Sequence, residues 1–110
     1  MPKKKKKSET TDADFADAVF KATRQECEKY SYNCFLRFGE IHIRTRFEAW
    51  FFLPTKGKTT LMHSSCPGAA NEQWHRQFTG FVTPEEIVTY VHEHEAAKYT
   101  TQFVNFSTNF

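Results

Sequence analysis

Five histidines and three cysteines are the side chains of this chain best suited to chemistry. His92-Glu93-His94-Glu95 is the densest run of metal-ligand types. A helical zinc pair needs histidines three or four residues apart, as in H-E-x-x-H, because only those share a helix face. His92 and His94 are two apart in a helical pattern, so they point in different directions. His63 and Cys66 have ligand-like spacing, but no second pair accompanies them. The spacing therefore predicts solvent-facing histidines, no metal and no cofactor. Cys66 beside Pro67-Gly68, with His63 and His75 near in sequence, supplies the parts of a thiol–imidazole nucleophile. The same residues also make an ordinary Gly/Pro turn around a buried thiol. No strand–elbow–helix pattern surrounds them, and with four Gly in the chain there is no phosphate-binding glycine loop. The chain reads as a non-enzyme.

What remains is charge. Lys3, Lys4, Lys5, Lys6 and Lys7 form a polylysine tail that can attract phosphates without sequence preference. The formal net charge is +2, yet beyond this tail ten Lys and Arg stand against all thirteen Asp and Glu, leaving about −3. Within that acidic body, residues 31–82 are net positive. The stretch EIHIRTRFEAWFFL, residues 40–53, reads as one long central strand. Its alternation sets Ile41, Ile43, Thr45 and Phe47 against Glu40, His42, Arg44, Arg46 and Glu48. Arg44 and Arg46, with Lys56 and Lys58 at the next hairpin tip, could track a phosphate backbone while nearby Phe or Trp rings stack bases. Cross-strand ion pairing with Glu40 and Glu48 is the competing reading of that face.

The elements that would position these residues follow from pattern. At 110 residues, with twelve Phe and Leu only at 36, 53 and 61, the aromatic-rich chain leans toward sheet. Residues 1–11 predict a disordered basic tail, and residues 12–110 a single domain. A first helix is predicted from Asp12 to about Tyr30, with Phe15, Val19, Ala22 and Cys27 on its apolar stripe. Strands follow at 34–38, 40–53 and 59–64, then an irregular region at 65–82 with a short helical turn near 71–77. Thr83-Pro84-Glu85-Glu86 is a capping-box start for a second helix that fades near Lys98. Tyr99 to Phe110 could add an edge strand, with Phe103, Phe106 and Phe110 completing the core or a homodimer interface. The fold class predicted is α+β: an antiparallel sheet of three to four strands, with the N-terminal and C-terminal helices packed on one face.

Two segments invite comparison with known families. WFFLPTKGKTTLMHSS followed by FTGFVTPEEIVTYVHEHE, within residues 50–95, resembles the closing hairpin and helix of thioredoxin-like domains. The Cys-x-x-Cys of that family is absent here, so no redox role follows. The order helix, three strands, helix is similar to a double-stranded-RNA-binding domain. That family opens its second helix with lysines, where this chain has Glu85 and Glu86.

These observations predict a small binding protein that acts on a nucleic acid or nucleoprotein complex through Lys3–Lys7, Arg44, Arg46, Lys56 and Lys58. The alternative is a protein–protein inhibitor or adaptor, of the kind phage and mobile elements carry. It would present Asp12, Asp14, Asp17, Glu85, Glu86, Glu93 and Glu95 to a basic partner. Three unpaired cysteines, no apolar leader and no apolar run of membrane length predict a reducing, cytoplasmic compartment, or the nucleus if the host has one.

Overall fold

The computed structural model of the chain describes residues 12–68, 70 and 72–108, with side chains between 13 and 99. The elements are α1 (Asp12–Glu28), β1 (Asn33–Arg37), β2 (Glu40–Arg44), β3 (Ala49–Phe52), β4 (Thr59–Ser64), β5 (His75–Gly80) and α2 (Pro84–Thr108). The five strands form one antiparallel meander in the order β1-β2-β3-β4-β5. The polylysine tail lies outside the described residues.

An α+β architecture is what the sequence predicts, but the sheet has five strands rather than three or four. Two of the differences lie in the strands. The 40–53 stretch is two strands, β2 and β3, joined by a turn at 45–48. Thr45 makes that turn: its hydroxyl accepts from the amides of Phe47 (3.1 Å) and Glu48 (2.9 Å), and its own amide donates to the Glu48 carbonyl at 3.0 Å. In a continuous strand Thr45 would be one more β-branched residue, so the alternation conceals the turn. The fifth strand, β5, reads HRQFTG, with one aliphatic or aromatic residue in six. An edge strand held by backbone pairing needs no alternation, and the sequence offers none. β5 also separates the β3–β4 hairpin from α2, which parts this fold from both families that its segments resemble.

The third difference is α2, which continues to Thr108 instead of giving way to an edge strand after Lys98. Its start is the predicted capping box: Glu86 Oε1 accepts from the Thr83 amide at 2.8 Å, and Thr83 Oγ1 accepts from the Glu86 amide at 3.2 Å. Helix α1 ends two residues before the predicted Tyr30. Ser31 takes φ +61°, and the Tyr32 amide closes back onto the Cys27 carbonyl at 3.0 Å, a Schellman-type stop with serine where glycine is usual.

Side chains alternate across the sheet. One row comprises Cys34, Ile41, Ile43, Trp50, Phe52 and Leu61, all buried, and these meet Cys27 of α1 and Ile87, Val88 and Val91 of α2. Each large side chain so enclosed contributes roughly 1.5–3 kcal/mol by leaving water. The other row comprises Phe35, His42, Arg44, Phe51 and Met62 on the opposite, outer face. Among the described residues no helix is long and apolar enough to cross a membrane.

Candidate functional site

The outer sheet face carries an aromatic row running across the strands. Phe35 pairs with His42, His42 with Phe51, Phe51 with Met62, and Met62 with Arg76. The His42 ring is stacked between Phe35 and Phe51, with centroids 5.1 Å away on each side. Trp74, just before β5, sets its ring at 90° to His42 and 68° to Phe51. A depression of about 410 Å³ continues the row, lined by Phe51, Leu53, Thr55, Lys58, Thr60 and Met62. Arg37, Arg44 and Arg76 are exposed around the row by strand register. Glu40 shares the face and binds His42 Nε2 at 3.0 Å. The arrangement combines ring edges, one ring set crosswise and guanidinium groups, which suits a flat apolar group carrying negative charge.

The predicted cations do not converge on one surface. Arg44 and Lys58 border the outer face. Arg46, in the β2–β3 turn, lies 5.6 Å from the centroid of the Phe47 ring, which itself stacks on Tyr99 of α2. Lys56 lies 5.3 Å from the centroid of Phe15 of α1, at the other end of β3. The β2–β3 and β3–β4 turns close opposite ends of that strand, so Arg46 and Lys56 cannot share a short ligand with the row between them. Of the acidic residues expected to face a partner, Glu95 is buried. The Thr45 hydroxyl and the Trp50 indole N–H donate to its carboxylate at 2.7 and 2.9 Å, while burial pushes the Glu95 carboxyl above its ordinary range.

A second group of polar side chains lies inside, where β4, the β2–β3 turn and α2 meet. Glu48, expected on the outer face of a continuous strand, is fully buried because the turn swings it inward. Its Oε1 accepts from His63 Nε2, and its Oε2 accepts from the Tyr99 hydroxyl and from Lys98 Nζ at 2.6 Å. His63 Nδ1 faces His75 Nε2 at 3.2 Å, and His75 Nε2 faces Gln77 Oε1 at 3.1 Å. The His94 ring stands 5.2 Å from His63 at a 73° angle. Burial opposes the charged form of Glu48, yet donation from Lys98, Tyr99 and His63 holds its carboxyl below the ordinary range. Burial holds the His63 imidazole below its ordinary value despite the Glu48 carboxylate. Burial and the Glu48 carboxylate raise the Tyr99 hydroxyl.

These histidines correct the expectation of solvent-facing rings. His63 is buried, and His92 stacks on Tyr30 at 4.1 Å and meets the Tyr32 hydroxyl at 3.1 Å. Cys66 is exposed rather than buried, and makes no hydrogen bond to His63 or His75 among the described residues. Sequence reasoning missed Glu48, His63 and His94 as a group because they come from a turn, a strand and a helix. The one available signal was local: a Thr three residues before Glu48, the spacing of a side-chain-capped turn. Comparison with known proteins gives no match: no family model, no curated protein and no solved structure aligns with this chain.

Proposed function

We propose that this chain is a small binding protein that acts on single-stranded nucleic acid, free or within a nucleoprotein complex, through its outer sheet face and without catalysis. The observation that carries this reading is the Phe35–His42–Phe51 row with Trp74 set across it, bordered by Arg37, Arg44 and Arg76. Rings within the row spend their faces on each other, so a base stacks on Trp74 or on the outward flank of Phe35. The arginines then meet phosphates, and the depression beside Phe51 and Lys58 takes a second base. Duplex fits less well, because its bases are already stacked and a five-stranded sheet face is broader than the two-stranded ribbon a major groove admits. Lys3–Lys7 add salt-sensitive attraction.

The test is fluorescence anisotropy with mixed-sequence single-stranded DNA and RNA of about 12 nucleotides, against a duplex control, at two salt concentrations. Full-length protein should bind single strands in a salt-dependent way. Trp74→Ala should weaken binding roughly tenfold, in line with the ~1–3 kcal/mol that one stacked base contributes. Absence of salt-sensitive binding sinks the proposal, as does an affinity that is unchanged in Trp74→Ala but vanishes when residues 2–7 are deleted.

A second reading has its own observation. Between β5 and α2 lies a depression of about 410 Å³ whose walls include Phe78, Val82 and Tyr90 and whose rim includes Glu85, Glu86 and Glu93. An acidic rim around an apolar floor suits a basic peptide segment of a protein partner. Such an adaptor or inhibitor would hold its partner after nuclease treatment and lose it on charge reversal at Glu86 and Glu93.

A further inference from the structure

We propose that Glu48, His63 and His94 form a binding site for a zinc-class divalent cation, which clasps the β2–β3 turn, β4 and α2 together. Each of the three offers one ligand atom, and these atoms all lie within 4.8 Å of one another. Two imidazoles and one carboxylate are the donor set that suits zinc and its neighbours, where calcium or magnesium would call for oxygens alone. This site is separate from the outer sheet face, and neither proposal rests on the other.

The surroundings are those of a ligand cluster as much as of an ion pair. Glu48 divides its oxygens: Oε1 faces His63 Nε2, while Oε2 is held by Lys98 and Tyr99. A carboxylate anchored through one oxygen presents the other to a metal in fixed orientation. His63 is arranged in the same way, with Nε2 toward Glu48 and Nδ1 toward His75. His94 contacts Trp50, His63 and Tyr90 through its ring, and no hydrogen bond occupies its nitrogens among the described residues. An imidazole with idle nitrogens beside a His–Glu pair is the third ligand that the pair lacks.

Coordination asks for small movements. Without metal, His63 donates from Nε2 to Glu48 Oε1, so these two atoms touch. A cation between them needs both at about 2.0–2.2 Å from itself. The pair must therefore part, a shift that the β2–β3 turn carrying Glu48 can supply. His63 must also present a lone pair at Nε2. Its proton moves to Nδ1, and His75 accepts there through Nε2 only by shifting its own proton to Nδ1 and giving up Gln77 Oε1, so both rings change tautomer with no net loss of a proton. Three protein ligands leave the fourth position of a tetrahedral zinc to a water molecule.

The test uses tag-free, full-length protein carrying Cys66→Ser, to remove the exposed thiol as a competing ligand. Zinc is titrated by calorimetry after chelator treatment, and cobalt is followed by its visible spectrum. The expected result is one ion per chain, a four-coordinate cobalt spectrum without thiolate bands, and a rise in thermal midpoint with added zinc. His94→Ala, at a partly buried position, should keep the fold by circular dichroism while losing at least tenfold in affinity and losing the stabilisation by zinc. His75→Ala should weaken binding several-fold without abolishing it. Zinc binding that is equal in His94→Ala and parent protein would overturn the proposal, as would cobalt bound only in six-coordinate form or no binding at micromolar zinc.

Discussion

At the scale of single residues, Glu48 governs most of what is unusual in this interior. Its carboxylate is charged and without exposure, and it draws donors from β4 and α2. Removing one partner of such a cluster leaves the others desolvated and uncompensated. Glu48→Ala should therefore cost about 3 kcal/mol, far above a surface substitution. The pH dependence follows from the same residues. His63 and Glu48 both have folded-state values below their unfolded ones, so the native chain binds fewer protons than the unfolded chain. Stability then rises with pH. It should fall as pH drops below about 6.5, first through His63 and then, below about 4.5, through Glu48. Each contributes a slope of at most about 1.4 kcal/mol per pH unit. Glu95, raised by burial, acts with the opposite sign and offsets part of the loss in the acid range. Urea denaturation at pH 7, 6, 5 and 4 measures the slope, and a stability maximum below pH 5 would contradict the assignment.

At the scale of elements, the β1–β2 hairpin carries a conformational cost. Phe38 and Gly39 take φ of +53° and +80°, as both central residues of a type I′ turn do. Glycine accepts this freely, while a phenylalanine with 90% exposure gains no packing to offset it. Arg37, 5.7 Å from the Phe38 ring centroid, is an exposed contact of small worth. Phe38→Asn should therefore stabilise the chain by about 1 kcal/mol, seen as a higher denaturation midpoint at unchanged slope. If the same variant also loses affinity for a nucleic-acid ligand, Phe38 belongs to the binding face.

At the scale of the whole molecule, charge is unevenly spread. Arg37, Arg44 and Arg76 border the outer sheet face beside Glu40, while the helices expose Asp14, Asp17, Glu28, Glu85, Glu86 and Glu93 against Lys21, Arg24 and Lys98. On the proposed reading, a polyanion favours the outer sheet face over the net-negative helix surface. Joint replacement of Arg44 and Arg76 by Gln should weaken single-strand binding and lower the salt slope by about 0.7 for each phosphate no longer neutralised. Replacement of Glu85 and Glu86 by Gln should leave the slope unchanged. Binding measured across a salt series distinguishes the two, and equal effects would place the ligand elsewhere.

The sequence by itself determined what is local. It located α1 and the capped start of α2, set β4 at 59–64 and showed a basic middle between acidic helices. These follow from periodicity, capping chemistry and counting, each confined to a short window. Tertiary structure decided what depends on partners remote in sequence. Thr45 turned one apparent strand into two because its hydroxyl found the Glu48 amide and the Glu95 carboxylate. Polar β5 became a strand through pairing with β4. Helix α2 carried Lys98 and Tyr99 onto Glu48 at the point where the pattern had the helix fading. The Glu48, His63 and His94 group depended on the first of these, because His63 and His94 already lay on a predicted strand and helix and only Glu48 was placed on the wrong face. Its members are 15 and 31 residues apart in sequence. Only a turn that faces inward, a strand that faces a helix, and a helix long enough to reach them could bring those side chains within a few ångströms.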